Sequence, residues 1–266
     1  MTRRFWIGSL LVIACLVGFS AAQTSSEPAA AAPSRVQPPS ATATARELEK
    51  SADELRQEKL YLDAIDYYRE ALKRSPANLA VLHNKIGITQ LQMGRYPEAK
   101  KSFERAIKSD KNYPDARNNL GVIHYIQKKY GRAIKEYRKA IALREDSASF
   151  HSNLGTAYFA RKEFEKAAAE YQRALDLDPD VFEHRSLAGV SAQMSSPEDR
   201  AYYNFVLARM YAKAGNLDRA LNYLRKAMEE GYKEIGKVYE ENEFAGLRKD
   251  PRFSELMASK PLAIPQ

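Results

Sequence analysis

One spaced pattern of side chains occurs five times in this chain of 266 residues. Each copy has a small residue, an aromatic or Leu nine positions later, and then Ala, a second aromatic or Leu, and Ala at steps of three, four and three. The copies are Ala52/Tyr61/Ala64/Tyr68/Ala71, Gly87/Tyr96/Ala99/Phe103/Ala106, Gly121/Tyr130/Ala133/Tyr137/Ala140, Gly155/Phe164/Ala167/Tyr171/Ala174 and Ala208/Leu217/Ala220/Leu224/Ala227. Ala99, Ala133 and Ala167 lie 34 residues apart, which is the period of a two-helix repeat. The sequence therefore predicts an all-α repeat protein.

The residue types of the pattern suit two antiparallel helices that pack closely. Gly or Ala in the first helix lets the second helix approach, and Ala on either side of an aromatic gives the second helix a small-large-small face. Each pair still leaves apolar surface uncovered, so pairs stack, and about three or more are needed for stability. We therefore expect a solenoid of stacked antiparallel helix pairs.

At these residues the chain resembles the tetratricopeptide repeat family. Asn119-Leu120-Gly121 and Asn153-Leu154-Gly155, the aromatics at the turns, and Pro76 and Pro179 at repeat ends match the pattern of that family. The resemblance implies a right-handed α-solenoid over residues 46–234, with repeats at about 45–78, 80–113, 114–147, 148–181 and 201–234. The chain departs from the family in two ways, because the bulky aromatic early in the first helix is absent and repeats two and three lack the closing Pro. The resemblance is specific for the fold and says little about function.

The N-terminal residues have the composition of an export signal. Arg3 and Arg4 precede an uncharged run over residues 5–19, and Ser20-Ala21-Ala22 are small residues at a cleavage position. We predict a signal peptide at 1–22 and an exported protein, periplasmic or extracellular. Two alternatives stay open: an uncleaved anchor, although the run is shorter than the ~20 residues of a spanning helix, and a lipoprotein anchored at Cys15.

Three further segments flank or interrupt the repeats. Residues 23–45 are rich in Pro, Ala, Ser and Thr, which predicts a disordered linker. Residues 182–200 form an insertion, for which alternation of apolar residues favours an irregular or hairpin-like segment over a first helix, before Ser196 caps a new helix with Pro197 in its first turn. Residues 235–266 are predicted to cover the last repeat with one or two short helices, the last starting at Asp250-Pro251.

The first helices are expected to line a concave groove. Its residues lie about a quarter turn from each small residue, at 100° per residue, and they are neutral, amide-bearing and apolar. The predicted binding residues are Asn84, Ile88, Leu91, Asn118, Asn119, Val122, Tyr125, Asn153, Thr156 and Phe159, with Gln92, Ile126, Ser152 and Ala160 on the same wall. Amides and apolar side chains suit an extended peptide. Asn119 and Asn153 resemble the asparagine ladder with which some members of the family hold a peptide backbone.

Other roles remain open for the same residues. The asparagines could join one repeat to the next, and Leu91, Tyr125 and Phe159 could belong to the core between repeats. The family's carboxylate clamp for chaperone tails needs Lys and Arg on the first helices, where this chain has Asn, Ser, Ile and Val. We therefore do not expect that ligand.

Positive charge gathers on the second helices of a chain whose net charge is +8. Spacings of three and four place these residues on one face of each helix: Lys101, Arg105 and Lys108, and Lys128, Arg132, Lys135 and Lys139. The face is either solvated or in contact with an anionic lipid or cell-wall polymer. Export argues against nucleic acid as the partner.

Catalytic motifs are absent from the sequence. The histidines are His83, His124, His151 and His184, the one cysteine lies in the predicted signal, and neither a His-Glu-x-x-His motif nor a phosphate-binding glycine loop occurs. We predict no enzyme activity, no cofactor and no metal. The leading hypothesis is an envelope scaffold that binds a protein or peptide in the groove. Its alternatives are an adaptor to an anionic polymer or lipid surface, and a structural subunit of an export or pilus-type assembly.

Overall fold

The computed structural model describes residues 38–74, 77–183 and 196–259. Within these ranges the protein contains α-helices and three short 3-10 helices, and no strand. The α-helices are α1 (Ala45–Gln57), α2 (Tyr61–Lys73), α3 (Leu79–Gln92), α4 (Tyr96–Ser109), α5 (Pro114–Ile126), α6 (Tyr130–Leu143), α7 (Ala148–Ala160), α8 (Phe164–Leu177), α9 (Pro197–Lys213), α10 (Leu217–Glu229) and α11 (Pro251–Ser259). The predicted all-α fold of paired helices is confirmed. The predicted signal peptide lies outside the described residues.

Each copy of the pattern forms one helix pair. The second helix of every pair begins at the aromatic or Leu of its copy, and every alanine of the pattern is buried. The small residue of the first helix lies against the ring of the second. A Cβ atom added to Gly87, Gly121 or Gly155 would lie 2.5, 2.5 or 2.6 Å from the ring of Phe103, Tyr137 or Tyr171, respectively. The small-large packing inferred from the spacing is therefore confirmed.

The first four pairs stack in the order of the chain. Each second helix packs against the next first helix, and first helices of neighbouring pairs lie side by side. Arg144, which follows α6, lies 4.7 Å from the ring centroid of Phe150 at the start of α7. The end of a second helix therefore meets the beginning of the next first helix, so these two helices run antiparallel.

The fifth pair joins the array in the opposite direction. Asp199, at the start of α9, forms an ion pair with Lys162, which precedes α8. At the other end of α9, the Tyr211 hydroxyl donates to the Pro179 carbonyl, just after α8, over 3.3 Å. The helix α9 therefore runs parallel to α8. The packing within the fifth pair is as expected, and its direction relative to α8 distinguishes it from the first four pairs.

The length of the connection explains the reversal. Four residues join α4 to α5 and α6 to α7, whereas 19 residues separate α8 from α9. A 14-residue helix such as α8 is about 21 Å long, and four extended residues reach only about 14 Å. A short connection therefore cannot return to the start of the helix, while the long one can. Residues 184–195, for which a hairpin-like insertion was predicted, lie outside the described residues.

Segments that flank the array cover its first and last helix pairs. Thr44 caps α1 in a capping box with Glu47, and Arg74 donates to the carbonyl of Ser40 over 3.0 Å, so the last residues of the predicted linker contact the first pair. The 3-10 helices Ile235–Tyr239, Asn242–Phe244 and Leu247–Lys249 follow α10. Their buried residues and those of α11 join the core of α9 and α10. Ser196 caps α9, and α11 begins at Pro251, as predicted.

Candidate binding surface

The predicted asparagines form a buried chain of hydrogen bonds between repeats. Asn119 Nδ2 donates to Asn84 Oδ1 over 2.9 Å, and Asn153 Nδ2 donates to Asn118 Oδ1 over 3.0 Å. Within α5, Asn118 Nδ2 lies 3.4 Å from Asn119 Oδ1. All four side chains are buried. These amides therefore join neighbouring repeats, which is one of the two roles that the sequence leaves open.

The same two helix positions meet at the first junction, with charged groups in place of amides. Lys85 occupies the position of Asn119, and its Nζ lies 2.7 Å from Glu49 Oε1 and 2.6 Å from Asp53 Oδ2. Burial is the largest single effect and lowers the pKa of Lys85. The hydrogen bonds to Asp53 and Glu49 together outweigh it, so the pKa of Lys85 is raised. The contact between positions is thus a property of the repeat. Lys85 was not predicted as a junction residue, although it lies in register with Asn119, 34 residues earlier.

The predicted apolar anchors belong mainly to the core. Val122, Tyr125 and Phe159 are buried. Burial raises the pKa of the Tyr125 hydroxyl above its usual range. The ring of Phe159 lies 5.5 and 5.8 Å from the rings of Tyr202 and Tyr203 of the reversed helix α9. These three side chains therefore offer little surface to a partner, and their predicted role in binding stays a prediction.

Thr156 is a further predicted groove residue that the structure places in the core. Its Oγ1 donates to the Ser152 carbonyl over 2.9 Å and accepts from the Tyr171 hydroxyl over 3.2 Å. The side chain is 1% exposed. Its hydrogen bonds thus lie within the fourth helix pair.

The surface that remains open on the predicted wall is smaller than expected. Ile88 and Leu91 are half-buried, as are their neighbours Gln92, Ile126, Ser152 and Ala160. Leu91, Ile126 and Ala160 pack with one side against the core and expose the other. The open part of the wall is thus a narrow, mainly apolar strip on α3, α5 and α7, which we call the first-helix strip.

Aromatic side chains at the junction of the fourth and fifth pairs were not anticipated. The Tyr202 ring lies 4.8 Å from that of Phe164 and stacks on Tyr232 at 5.8 Å, and the Tyr203 ring lies 5.6 Å from that of Tyr171. The helices α8 and α9 approach less closely than the second helix of each earlier pair approaches the first helix of the next pair. Large aromatic rings fill the wider space between these helices. In the sequence, the adjacent tyrosines Tyr202 and Tyr203 were the available signal of this aromatic junction.

The predicted basic residues lie on the outer side of the second helices, except Lys128, which lies in the turn between α5 and α6. Lys101, Arg105, Lys108, Lys128, Arg132 and Lys135 are exposed, whereas Lys139 is half-buried and lies 2.6 Å from Glu136 Oε1. Burial lowers the pKa of His83 and His124, and nearby cations lower it further: Arg105 at the first, Lys100 and Arg132 at the second. The surrounding positive charge therefore disfavours protonation of both histidines.

His151 has structural partners on both ring nitrogens. His151 Nδ1 lies 2.6 Å from Glu170 Oε2 and its Nε2 lies 3.0 Å from the Glu145 carbonyl. His184 lies outside the described residues. In the ranges that the structure describes, no three His, Cys, Asp or Glu side chains assemble as metal ligands. None of the helices in those ranges combines the length and apolar character that crossing a membrane requires.

The repeated helix pairs and their hydrogen-bonded junctions define the class of protein, an α-helical repeat solenoid. Sequence models of the tetratricopeptide repeat match residues 84–148 and 129–181, and a second model of that repeat matches residues 206–231. The chain belongs to the tetratricopeptide repeat family. A search of curated proteins finds no match.

Several solved structures are similar to this chain. PilF from Pseudomonas aeruginosa is 18% identical with a TM-score of 0.53, over 81% of this chain and 97% of PilF. TTC0263, a tetratricopeptide repeat protein of Thermus thermophilus, is 21% identical with a TM-score of 0.49, over 81% and 100% of the two chains. The first repeat domain of Spaghetti (RPAP3), bound to the HSP90 peptide SRMEEVD, is 27% identical with a TM-score of 0.39, over 41% and 86%. At this identity the likeness to PilF shows the fold alone.

Proposed function

We propose that the protein is a non-catalytic scaffold of the cell envelope that binds a protein or peptide along the first-helix strip. Stacked helix pairs present extended surfaces that bind partners, and proteins of this family support a role in protein interaction. The observation that carries the proposal is the strip itself. Ile88, Leu91 and Ile126 keep apolar surface exposed beside the Gln92 amide, on helices joined rigidly by the buried asparagines.

The strip suits an extended segment with apolar side chains. Half-exposed aliphatic residues can receive such side chains, and the Ser152 hydroxyl can bond a peptide backbone. The asparagines, in contrast, already bond one another. They would therefore act by holding the strip in shape rather than by touching the partner.

Selection from a random peptide library would test the proposal. We expect selected peptides to bind the protein and to lose most of their affinity when Leu91→Glu and Ile126→Glu are combined, because two charges would then lie where apolar side chains dock. The matched control combines Ala142→Glu and Ala169→Glu, which add the same charge at exposed positions of second helices. Circular dichroism would establish that both variants fold. Equal binding by the two variants would reject the strip as the site.

The envelope location rests on the predicted signal peptide. Mass spectrometry of the protein from its own cell would determine the mature N-terminus. We expect Gln23 as the first residue; a lipid-modified Cys15 would replace cleavage after Ala22 by lipoprotein anchoring. An unprocessed Met1 in a cytoplasmic fraction would refute export.

A further inference from the structure

Exposed cations lie on the second helices of two neighbouring repeats, and together we call them the basic face. It consists of Lys101, Arg105 and Lys108 of α4 and Arg132, Lys135 and Arg138 of α6. All six are exposed, and none forms an ion pair with a carboxylate in the described parts of the chain. The helices α4 and α6 together carry eight basic and three acidic residues, so the face has a clear excess of positive charge.

The six side chains lie on the outward side of their helices. At about 100° per residue, they fall within one third of the helix circumference, opposite the buried residues. The buried residues are Ala99, Ser102, Phe103 and Ala106 in α4 and Ala133, Ile134, Tyr137 and Ala140 in α6. Glu98 and Glu104 share the outward side of α4, and Glu104 is paired with Lys100. The face is therefore most basic on α6 and extends across part of α4.

The repeat framework does not require this charge. In register, Lys101 and Lys135 correspond to Asp66 in the first repeat and to Ala169 in the fourth. The helices α2 and α8 each carry more acidic than basic residues. The helix α10 has three basic and two acidic residues. The positive charge is thus concentrated on the second helices of two neighbouring repeats, and a charge needed only for solubility would not need that concentration.

We propose that the basic face docks the protein on an anionic phospholipid bilayer. The cations are exposed and unpaired, and they project from two helices instead of converging on a recess. Mobile lipid headgroups can rearrange to meet such a surface, whereas an acidic protein would need carboxylates at matched positions. Each Lys or Arg near an anionic membrane surface strengthens binding about fivefold. The first-helix strip, on the other helix of each pair, would stay free for its partner.

Sedimentation of the protein with lipid vesicles would test the docking. The probes are phosphatidylcholine vesicles with and without phosphatidylglycerol, because only the first kind is anionic. We expect binding to the anionic vesicles in excess of the neutral ones at low salt. The excess should disappear at about 1 M salt, where the Debye length is about 3 Å. Apolar anchoring through the N-terminal segment would act on both kinds of vesicle, so the difference isolates the basic face.

Two double variants with the same change in net charge make the test specific. Lys101→Glu with Lys135→Glu reverses the centre of the basic face, and we expect at least about a 25-fold loss of anionic-vesicle binding. Lys213→Glu with Lys233→Glu makes the same change at exposed, unpaired lysines elsewhere and should reduce binding less than threefold. Equal losses for the two variants, or equal binding to neutral vesicles, would overturn the proposal. Full displacement of the protein from the vesicles by soluble polyglutamate at equal charge would also overturn the proposal. It would show that the basic face binds any polyanion equally well.

Discussion

The Tyr137 hydroxyl is a buried polar group with no partner, and its removal should stabilise the protein. The side chain is fully buried, and its oxygen makes no hydrogen bond within the described residues. Burial raises the pKa of the Tyr137 hydroxyl well above its usual range. We expect Tyr137→Phe to increase the free energy of unfolding, because phenylalanine removes the unpaired group and keeps the ring.

Comparison of the repeats explains why this hydroxyl is unpaired. The equivalent Tyr171 donates to Thr156 Oγ1 over 3.2 Å, and Tyr68 donates to Asp53 Oδ1 over 2.6 Å. In the third repeat the position of Thr156 is occupied by Val122, which has no acceptor. In the second repeat phenylalanine already occupies the ring position, as Phe103, beneath a glycine at the same distance. Phenylalanine therefore fits this site without rearrangement.

The size of the effect follows from the cost of an unmade hydrogen bond. A buried unsatisfied polar group costs about 1–3 kcal/mol, and the few dispersion contacts of the lost oxygen are worth about 0.1–0.2 kcal/mol each. We expect a net gain of about 1–2 kcal/mol for Tyr137→Phe. The matched control is Tyr171→Phe, which breaks a real hydrogen bond and should cost about 0.5–1.5 kcal/mol. The two substitutions are chemically identical, so opposite signs are the decisive result.

Urea unfolding followed by far-UV circular dichroism would measure both changes. The dependence of the unfolding free energy on urea should stay the same, since the exposed surface does not change. A destabilisation of both variants by similar amounts would refute the reasoning. It would mean that the Tyr137 hydroxyl is satisfied, for instance by a bound water molecule.

Three further predictions follow from the same packing. Gly121→Ala should destabilise the protein by about 1–3 kcal/mol in urea unfolding, since its Cβ would overlap the facing ring of Tyr137. The control Gly236→Ala has open space around it and should change stability by less than about 0.5 kcal/mol. Equal effects of the two substitutions would contradict the close approach of Gly121 to the ring. Asn119→Ala should cost about 1–3 kcal/mol by the same assay because it leaves a buried carbonyl unpaired, and a neutral result would remove the inter-repeat role of the amides. Burial and nearby cations lower the pKa of His124 in the fold, so its contribution is complete above its unfolded pKa of about 6.5 and falls as the pH drops below that value. Accordingly His124→Gln should flatten the loss of stability between about pH 7 and 5, and an unchanged pH profile would exclude this histidine.

The helix pairs could be predicted from the sequence because their packing is encoded locally. A glycine in one helix and a ring in the next, such as Gly121 and Tyr137, are 16 residues apart and belong to the same pair. The spacing within a pair therefore fixes which residues meet. The same holds for the starts of the second helices and for the capping residue Ser196.

The binding wall was harder to predict because it depends on how pairs rotate on one another. Asn118 and Phe159 lie about 60° and about 40° around the helix from their glycines, on the predicted wall, yet the next pair covers them. Helical spacing gives the direction of a side chain but not the position of the neighbouring repeat. The reversal of α9 was unpredictable for a related reason, since a long connection permits either direction and only the assembled core, with Tyr202 against Phe164, selects one.

The reversal also limits what the first-helix strip can hold. The first helices α3, α5 and α7 run side by side, but α9 presents Tyr202 and Tyr203 to the core and runs the other way. Neighbouring helices lie about 8–10 Å apart, so the strip from α3 to α7 is about 20 Å long. An extended chain rises about 3.3 Å per residue. A partner segment held along the strip would therefore span about six residues, and any longer partner would have to use α1 or leave the wall at the fourth repeat.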